Sequence, residues 1–210
     1  MAETVYLPDL LLEVAAGIMD GVIVAGVDEA GRGPWAGVVV AAAVILDHKR
    51  IPTGINDSKK LSSTKREILY EEILINAHTG IGISTVEEID SLNILEASKL
   101  AMKRAVEMLG SIDISLVLVD GNKAPAIPFP TKTVIGGDTK SLSIAAASII
   151  AKVTRDRIMC ELAEKHPQYG WEHNAGYGTK HHQEALARYG ITEHHRRSFR
   201  PIREIIYGMI

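Results

Sequence analysis

The chain has 210 residues, 46% hydrophobic and 23% charged, with a formal net charge of −3, which excludes a disordered or fibrous protein and leaves room for one sizeable core. The first 27 residues carry Glu3, Asp9, Glu13 and Asp20 but no Lys or Arg, so the cationic region of a secretory or transit leader is missing and a cytoplasmic location is expected. The longest apolar stretch, Pro34 to Leu46, is shorter than the roughly 20 residues of a membrane helix, and the single cysteine, Cys160, excludes an intrachain disulfide and a thiolate zinc site.

In chain order, Leu10, Leu11, Val14, Ala15 and Ile18 recur at helical spacing and predict a short helix within residues 7 to 19. Val22 to Val27 is an apolar run closed by Asp28 and a glycine turn, and Gly37 to Leu46 is a second. Two such runs around a turn predict an antiparallel pair. A Ser/Thr cluster at Ser62 opens a helix to Ala77, with Ile68, Leu69, Ile73 and Leu74 on its apolar face. Gly80 to Val86 reads as a third strand, and Leu92 to Leu109 as one long helix.

Leu116 to Val119 is a continuous apolar run, as in a strand buried on both faces, and it ends on Asp120. Pro125, Pro128 and Pro130 make Asn122 to Pro130 a loop, after which Thr131 to Ile135 returns as a strand. Ser141 to Lys165 is a helix whose first half is small and apolar, suited to lying flat on a sheet; Cys160 within it is expected to be an inert core residue. Beyond Pro167 the chain turns aromatic, His-rich and basic. The expected organisation is one domain, a mixed α/β core over about residues 21 to 166 with a helical appendage over about 167 to 210. From Lys180 onward, Lys180, Arg188, Arg196, Arg197, Arg200 and Arg203 outnumber Glu184, Glu193 and Glu204, a local basic surplus inside an acidic total.

Acidic residues close two of the apolar runs, at Val27-Asp28-Glu29 and Val119-Asp120-Gly121, and a third follows a strand as Gly136-Gly137-Asp138. One Asp beside a Gly is an ordinary turn. Three at equivalent places in an α/β sheet, where sites gather at strand ends, call for a cation to offset their repulsion, and oxygen ligands suit Mg²⁺ or Mn²⁺. Side chains alternate along a strand, so Asp28 and Glu29 both face one ion only if the strand ends between them, as Gly31 and Gly33 predict. Asp28 is then the firmest ligand, with Glu29 contributing its side chain or its carbonyl.

Other motifs fail on chemistry. Gly26-x4-Gly31 has the spacing of a phosphate-binding loop but continues as Arg32-Gly33 instead of Lys-Ser/Thr; His181-His182 and His194-His195 are adjacent instead of four apart; Gly80-x-Gly82 lacks a third glycine.

The segments Val27-Asp-Glu-Ala-Gly-Arg-Gly-Pro34, Asp57-Ser-Lys-Lys-Leu61, Val119-Asp-Gly121, Gly137-Asp138, Ile144-Ala-Ala-Ala-Ser148 to Asp156, Gly176-Tyr-Gly-Thr179 and His194-His-Arg-Arg-Ser-Phe199 occur in the order seen in ribonuclease HII, the type 2 ribonuclease H of bacteria, which this sequence resembles. The sister type, ribonuclease HIII, usually carries an extra N-terminal domain and a different glycine turn, and neither is expected of this chain. Trp35 and Val38 stand where the family often has Leu and Pro. The resemblance implies an RNase H-like mixed sheet flanked by helices and a monomeric endoribonuclease. Asp28, Glu29, Asp120 and Asp138 would be its catalytic, metal-holding carboxylates, with Mn²⁺ or Mg²⁺. Its substrates would be RNA-DNA hybrids and duplex DNA containing ribonucleotides, cut 5′ of the ribonucleotide to leave a 3′-hydroxyl and a 5′-phosphate. It further implies that Gly31, Arg32, Gly33 and Tyr177 read the ribonucleotide and its junction with DNA, since glycine lets a backbone approach a sugar and the 2′-hydroxyl distinguishes RNA.

Lys59, Lys60, Arg196 and Arg197 are candidate phosphate contacts, with a solvated charge as the alternative for each; Arg155 and Asp156 are expected to be structural. Two rival functions remain at this point: another metal-dependent nuclease or resolvase, with no need to read a 2′-hydroxyl, and a non-catalytic nucleic-acid-binding module. A replication or repair partner is not readable from the sequence.

Overall fold

The computed structural model describes residues 7 to 208, so the end of the expected appendage lies outside the described residues. Five strands, β1 (Val24–Ala30), β2 (Val39–Leu46), β3 (Ala77–Ser84), β4 (Leu116–Asp120) and β5 (Thr131–Val134), form one sheet in the order β3-β2-β1-β4-β5. β1 pairs antiparallel with β2, as the two apolar runs predict, and parallel with β4; β2 and β3 are antiparallel, and β4 and β5 parallel. The sheet is therefore mixed, and β1 lies between two partners.

Among the described residues eight α-helices surround it: α1 (Leu11–Ala15), α2 (Ser63–Asn76), α3 (Val86–Leu92), α4 (Ile94–Glu107), α5 (Leu142–Lys165), α6 (Trp171–Asn174), α7 (Lys180–Tyr189) and α8 (Arg200–Ile206). One core layer sets Ala25, Val27, Ala41 and Ala43 of the sheet against Ala97, Ala101, Met102 and Ala105 of α4. The other sets Ala42 and Val44 against α5 and the Leu69–Ile73 side of α2. Small residues bring helix and sheet together: a Cβ built on Gly80 or Gly82 would lie 2.1 Å from the carbonyl oxygen of Ala105 or Ala101. The glycines of that strand are the footprint of α4, and no side chain fits between them.

Several boundaries depart from expectation. The N-terminal helix is only α1, followed by a 3-10 turn at Ile18–Asp20. Its Glu13 is buried against the start of α5, where Oε1 accepts from the Ser141 hydroxyl (2.6 Å), the Ser143 amide (3.0 Å) and the Ser143 hydroxyl (2.6 Å). A carboxylate at the positive end of a long helix is favourably placed. α2 runs directly into β3, so that strand begins at Ala77 and ends before Val86.

The long helix expected over Leu92 to Leu109 is α4, Ile94–Glu107, and the short α3 before it is not among the expected elements; Asn93, with a φ of 73°, ends α3, and its side chain accepts from the Leu95 and Glu96 amides to start α4. Asparagine tolerates the left-handed region and caps well, so it serves both helices. Cys160 is exposed, against the expectation of a core residue. Asp156 and Glu164 lie four residues to either side of it, on the solvated stripe of α5.

The C-terminal elements bury Tyr169, Trp171, Leu186 and Ile202 together with Ala36 and with Met159 of α5. An isolated antiparallel bridge joins Ala36 to His195, flanked by Gly37 N–H to His194 C=O and Arg196 N–H to Trp35 C=O, each 2.8 Å. The C-terminal segment thus packs on the loop between β1 and β2. Among the described residues no helix is long and apolar enough to cross a membrane.

Candidate active site

The parallel pairing of β1 and β4 puts Val27 opposite Val119, so Asp28 and Asp120 are the next residues along two neighbouring strands. β4 and β5 pair Asp120 with Val134, and the chain then turns through Gly136 and Gly137 to Asp138. The Gly137 amide donates to Asp120 Oδ1 at 2.6 Å, which ties that turn to the end of β4. β1 does not end between Asp28 and Glu29, contrary to expectation: it stays paired with β2 through Ala30. Even so, both acids line one cleft of about 290 Å³ together with Asp120 and Lys59. Asp138 is buried beside them, its Oδ2 3.5 Å from Lys59 Nζ.

Asp28 lies within electrostatic reach of the other three carboxyl groups. Asp28 is raised well above the ordinary carboxylate range, first by burial and then by the charges of Glu29, Asp120 and Asp138. Glu29 is raised by burial, with Arg32 opposing; Asp138 is raised by burial, Asp57 and Asp120, with Lys59 opposing. Removing carboxylates from water beside their own kind is unfavourable unless a cation joins them. Glu29 offers the clearest sign of such a role: Oε1 takes Arg32 Nη1 at 3.2 Å, while Oε2 is buried without a hydrogen-bond partner among the described residues. An orphaned carboxylate oxygen in a cleft shared with Asp28 and Asp120 fits hard divalent ions.

The same cleft brings in Gly31, Arg32, Gly33 and Tyr177. Gly31 has φ 101°, and a Cβ there would lie 2.1 Å from Arg155 Nε. No other residue meets both demands. A Cβ on Gly33 would lie 3.3 Å from Cε1 of Tyr177, a ring that is 49% exposed. The backbone of the glycine turn and one face of an aromatic ring are therefore presented side by side.

The basic candidates separate. Lys59 is at the cleft, its side chain 80% exposed, whereas Lys60 and Arg197 are exposed but do not line it. Arg196 requires correction as a phosphate contact, since it is fully buried. Its guanidinium donates to the carbonyls of Gly31 (2.6 Å), Arg32 (3.1 Å), Pro34 (2.8 Å) and Val38 (3.2 Å), and its Nε to Gly37 (2.8 Å). Arg155, structural as expected, donates to Val38, Ala36 and Ala175. Two buried guanidinium groups hold the loop that carries Gly31 to Gly33.

Sequence pattern alone did not single out Asp57, Ser58, Ser148 or Lys152. Asp57 is buried and accepts from the Lys59 amide at 2.9 Å, shaping the turn that carries Lys59. The Ser58 amide donates to Ser148 Oγ at 3.2 Å. Ser148, Lys152 and Arg155 all line the cleft, and a signal existed for them: they recur at i, i+4 and i+7 along one face of α5.

Carboxylates converging at adjacent strand ends of a mixed sheet, beside an open cleft, define a hydrolase of the ribonuclease H type. The family model described as Ribonuclease HII matches residues 25–202. A curated Ribonuclease HII from Magnetococcus marinus is 55% identical over 203 residues, covering 95% of each chain. Among solved structures, the ribonuclease HII of the PCNA:RNase HII complex from Archaeoglobus fulgidus superposes with a TM-score of 0.73 at 30% identity, over 85% of this chain and 96% of that one. The ribonuclease H2 from Pyrococcus horikoshii OT3 gives 0.72 at 31%, over 89% and 98%. The chain belongs to the ribonuclease HII family, and with it to the ribonuclease H endonucleases that act on RNA-DNA hybrids.

Proposed function

We propose that this chain hydrolyses the RNA strand of RNA-DNA hybrids and also cuts on the 5′ side of single ribonucleotides embedded in duplex DNA, leaving 3′-hydroxyl and 5′-phosphate ends. The observation that carries the reading is one cleft lined both by Asp28, Glu29 and Asp120 and by Gly31, Gly33 and Tyr177. A nuclease indifferent to the sugar has no use for the second group.

In this reading Asp28, Glu29, Asp120 and Asp138 hold Mg²⁺ or Mn²⁺. A pair of such ions, when bound, supplies an activated water and stabilises the departing 3′-oxygen. Asp57 keeps Lys59 beside Asp138, where the ammonium faces the incoming phosphate. Backbone groups of Gly31 to Gly33 reach the 2′-hydroxyl, and the Tyr177 ring packs on the neighbouring deoxyribose and excludes one bearing its own hydroxyl. Cytoplasmic location, action as a monomer and docking to a replication clamp complete the proposal; the last is supported by the Archaeoglobus fulgidus relative, solved with PCNA.

The test is an end-labelled DNA duplex containing one ribonucleotide, incubated with Mg²⁺ or with EDTA beside an all-DNA duplex. A single cut 5′ of the ribonucleotide, only with the metal, is expected. Cutting of the all-DNA duplex would favour a general nuclease or resolvase, and binding without cutting would favour a non-catalytic module.

A further inference from the structure

Four histidines, His166, His182, His194 and His195, meet around Trp171 in the C-terminal aromatic cluster. Two of them are ordinary interior histidines with their ring nitrogens occupied. His182 Nδ1 lies 2.9 Å from the Tyr177 carbonyl and its Nε2 3.0 Å from His195 Nε2, while His195 Nδ1 accepts from the Thr192 amide at 2.9 Å. The other two differ. No hydrogen bond among the described residues engages a ring nitrogen of His166 or His194; their rings stand edge to face with centroids 5.2 Å apart. Glu193 joins them, its Oε1 3.6 Å from His194 Nε2. One ligand atom from each of His166, Glu193 and His194 lies within 4.8 Å of the other two.

We propose that His166, Glu193 and His194 form a second metal site, for a borderline transition ion such as Zn²⁺, distinct from the carboxylate centre. None of the three lines the cleft. A tetrahedral ion with bonds of about 2.0–2.1 Å holds its ligand atoms roughly 3.3 Å apart. The Glu193–His194 separation is already close to that edge, so rotation of exposed or half-exposed side chains closes the remaining gap. Donor chemistry separates the two sites: an all-oxygen centre suits Mg²⁺ or Mn²⁺, whereas two imidazoles and a carboxylate suit Zn²⁺, Co²⁺ or Ni²⁺. The Glu193 side chain is 71% exposed, which leaves an entry path and a fourth position for water. Glu87 and Lys165 are the charged neighbours of His194, the first favouring a cation and the second opposing it.

The location gives the ion a structural task. His166 is the residue that ends α5, while the His194 carbonyl oxygen accepts from the Gly37 amide two residues before the buried Arg196. A bound ion would fasten the end of the longest helix to the segment that holds the loop of residues 31 to 38, and would take no part in the hydrolysis.

The metal-free chain would be titrated with ZnCl2 by calorimetry in saturating Mg²⁺, with thermal melting alongside, for the parent and for His166→Gln, His194→Ala, Glu193→Gln and Asp120→Asn. One Zn²⁺ per chain and a rise in melting temperature are expected for the parent and for Asp120→Asn. Affinity should fall about tenfold or more, with loss of the melting shift, in the histidine variants. His166→Gln and Glu193→Gln keep size and polarity, so the test stands even if His194→Ala fails to fold. No Zn²⁺ binding by the parent, binding unchanged by the His166 and Glu193 substitutions, or binding abolished by Asp120→Asn would each overturn the proposal.

Discussion

Arg196 donates from Nη2 to the carbonyl oxygen of Gly31 at 2.6 Å, across 165 residues of chain. The bond joins the C-terminal segment to a left-handed glycine beside the acidic cluster, and four more carbonyls between Arg32 and Val38 share the same side chain. A planar guanidinium reaches several acceptors at fixed angles, which a lysine ammonium does not. Arg196→Lys should therefore leave buried carbonyls unpaired and lower stability by about 2 kcal/mol or more. It should also slow cutting at a single ribonucleotide. Urea unfolding and single-turnover rates check this; a variant matching the parent in both would remove Arg196 from any role in loop placement.

Asp120→Asn preserves shape and the bond from the Gly137 amide but removes a negative charge from the cluster. Cutting should fall roughly a hundredfold, the scale on which one preorganised electrostatic contact to a reacting centre acts. The metal-free melting temperature should hold or rise, because repulsion on Asp28 is relieved. Mg²⁺ should raise the melting temperature of the parent more than that of the variant, by linkage. A variant that cut at a tenth of the parent rate or better would rule Asp120 out as an important ligand.

Tyr177→Ala tests the junction reading. Its ring is half exposed beside Gly33 and belongs to none of the buried hydrophobic clusters. Cutting at a lone ribonucleotide should drop far more than cutting within a continuous RNA strand, with the metal requirement unaltered. Both substrates timed side by side decide it, and an equal fractional loss would reduce Tyr177 to general support.

With Arg196 turned inward, the candidate phosphate contacts that remain exposed are Lys59, Lys60 and Arg197. The pair Lys60→Ala with Arg197→Ala should weaken hybrid and all-DNA duplex binding alike. The slope of log K against log salt should shrink by roughly 0.9 for each phosphate no longer neutralised. Filter binding at several salt concentrations measures both quantities; an unchanged slope would make the two residues solvated bystanders.

Acid should loosen the C-terminal cluster. Burial, followed by the neighbouring His182, pushes His195 down to about 3, below the ordinary histidine value of about 6.5 in the unfolded chain. The unfolded chain then binds the extra proton, so this stability is complete above about pH 6.5 and is lost as pH falls toward 3, at up to about 1.4 kcal/mol per pH unit. The raised acids Asp28, Glu29 and Asp138 act in the opposite sense in metal-free protein. Urea midpoints in EDTA between pH 7.5 and 5 should therefore fall less steeply for His195→Gln than for the parent. Parallel curves would show that His195 does not titrate in the transition.

Most of the sheet is legible in the sequence because its strands are apolar runs ending on acids, and the order Asp28, Asp120, Asp138 follows from those endings. The short α3 is hidden because seven residues show too little of a helical period; only the capping pair Thr85 and Glu88 marks its start. The continuation of β1 past Asp28 is hidden too, because glycines at 31 and 33 suggest an end, whereas Arg155 fills the space beside Gly31 after the strand has closed on Ala30. Arg196 and Arg197 are indistinguishable as letters. Which of two adjacent arginines turns inward depends on carbonyls some 160 residues earlier, and no local pattern encodes that.

The bridge between Ala36 and His195 also sets an order of events. Strands β1 and β2 are neighbours in sequence and can pair as soon as they exist, but the loop between them takes its shape from donors near the other end of the chain. During synthesis, at roughly 5 to 20 residues per second, those donors appear about ten seconds or more after the loop itself. A nascent chain can therefore hold much of its sheet while the glycine turn is still unfastened, and on the proposed function the ability to recognise a substrate is the last property it acquires.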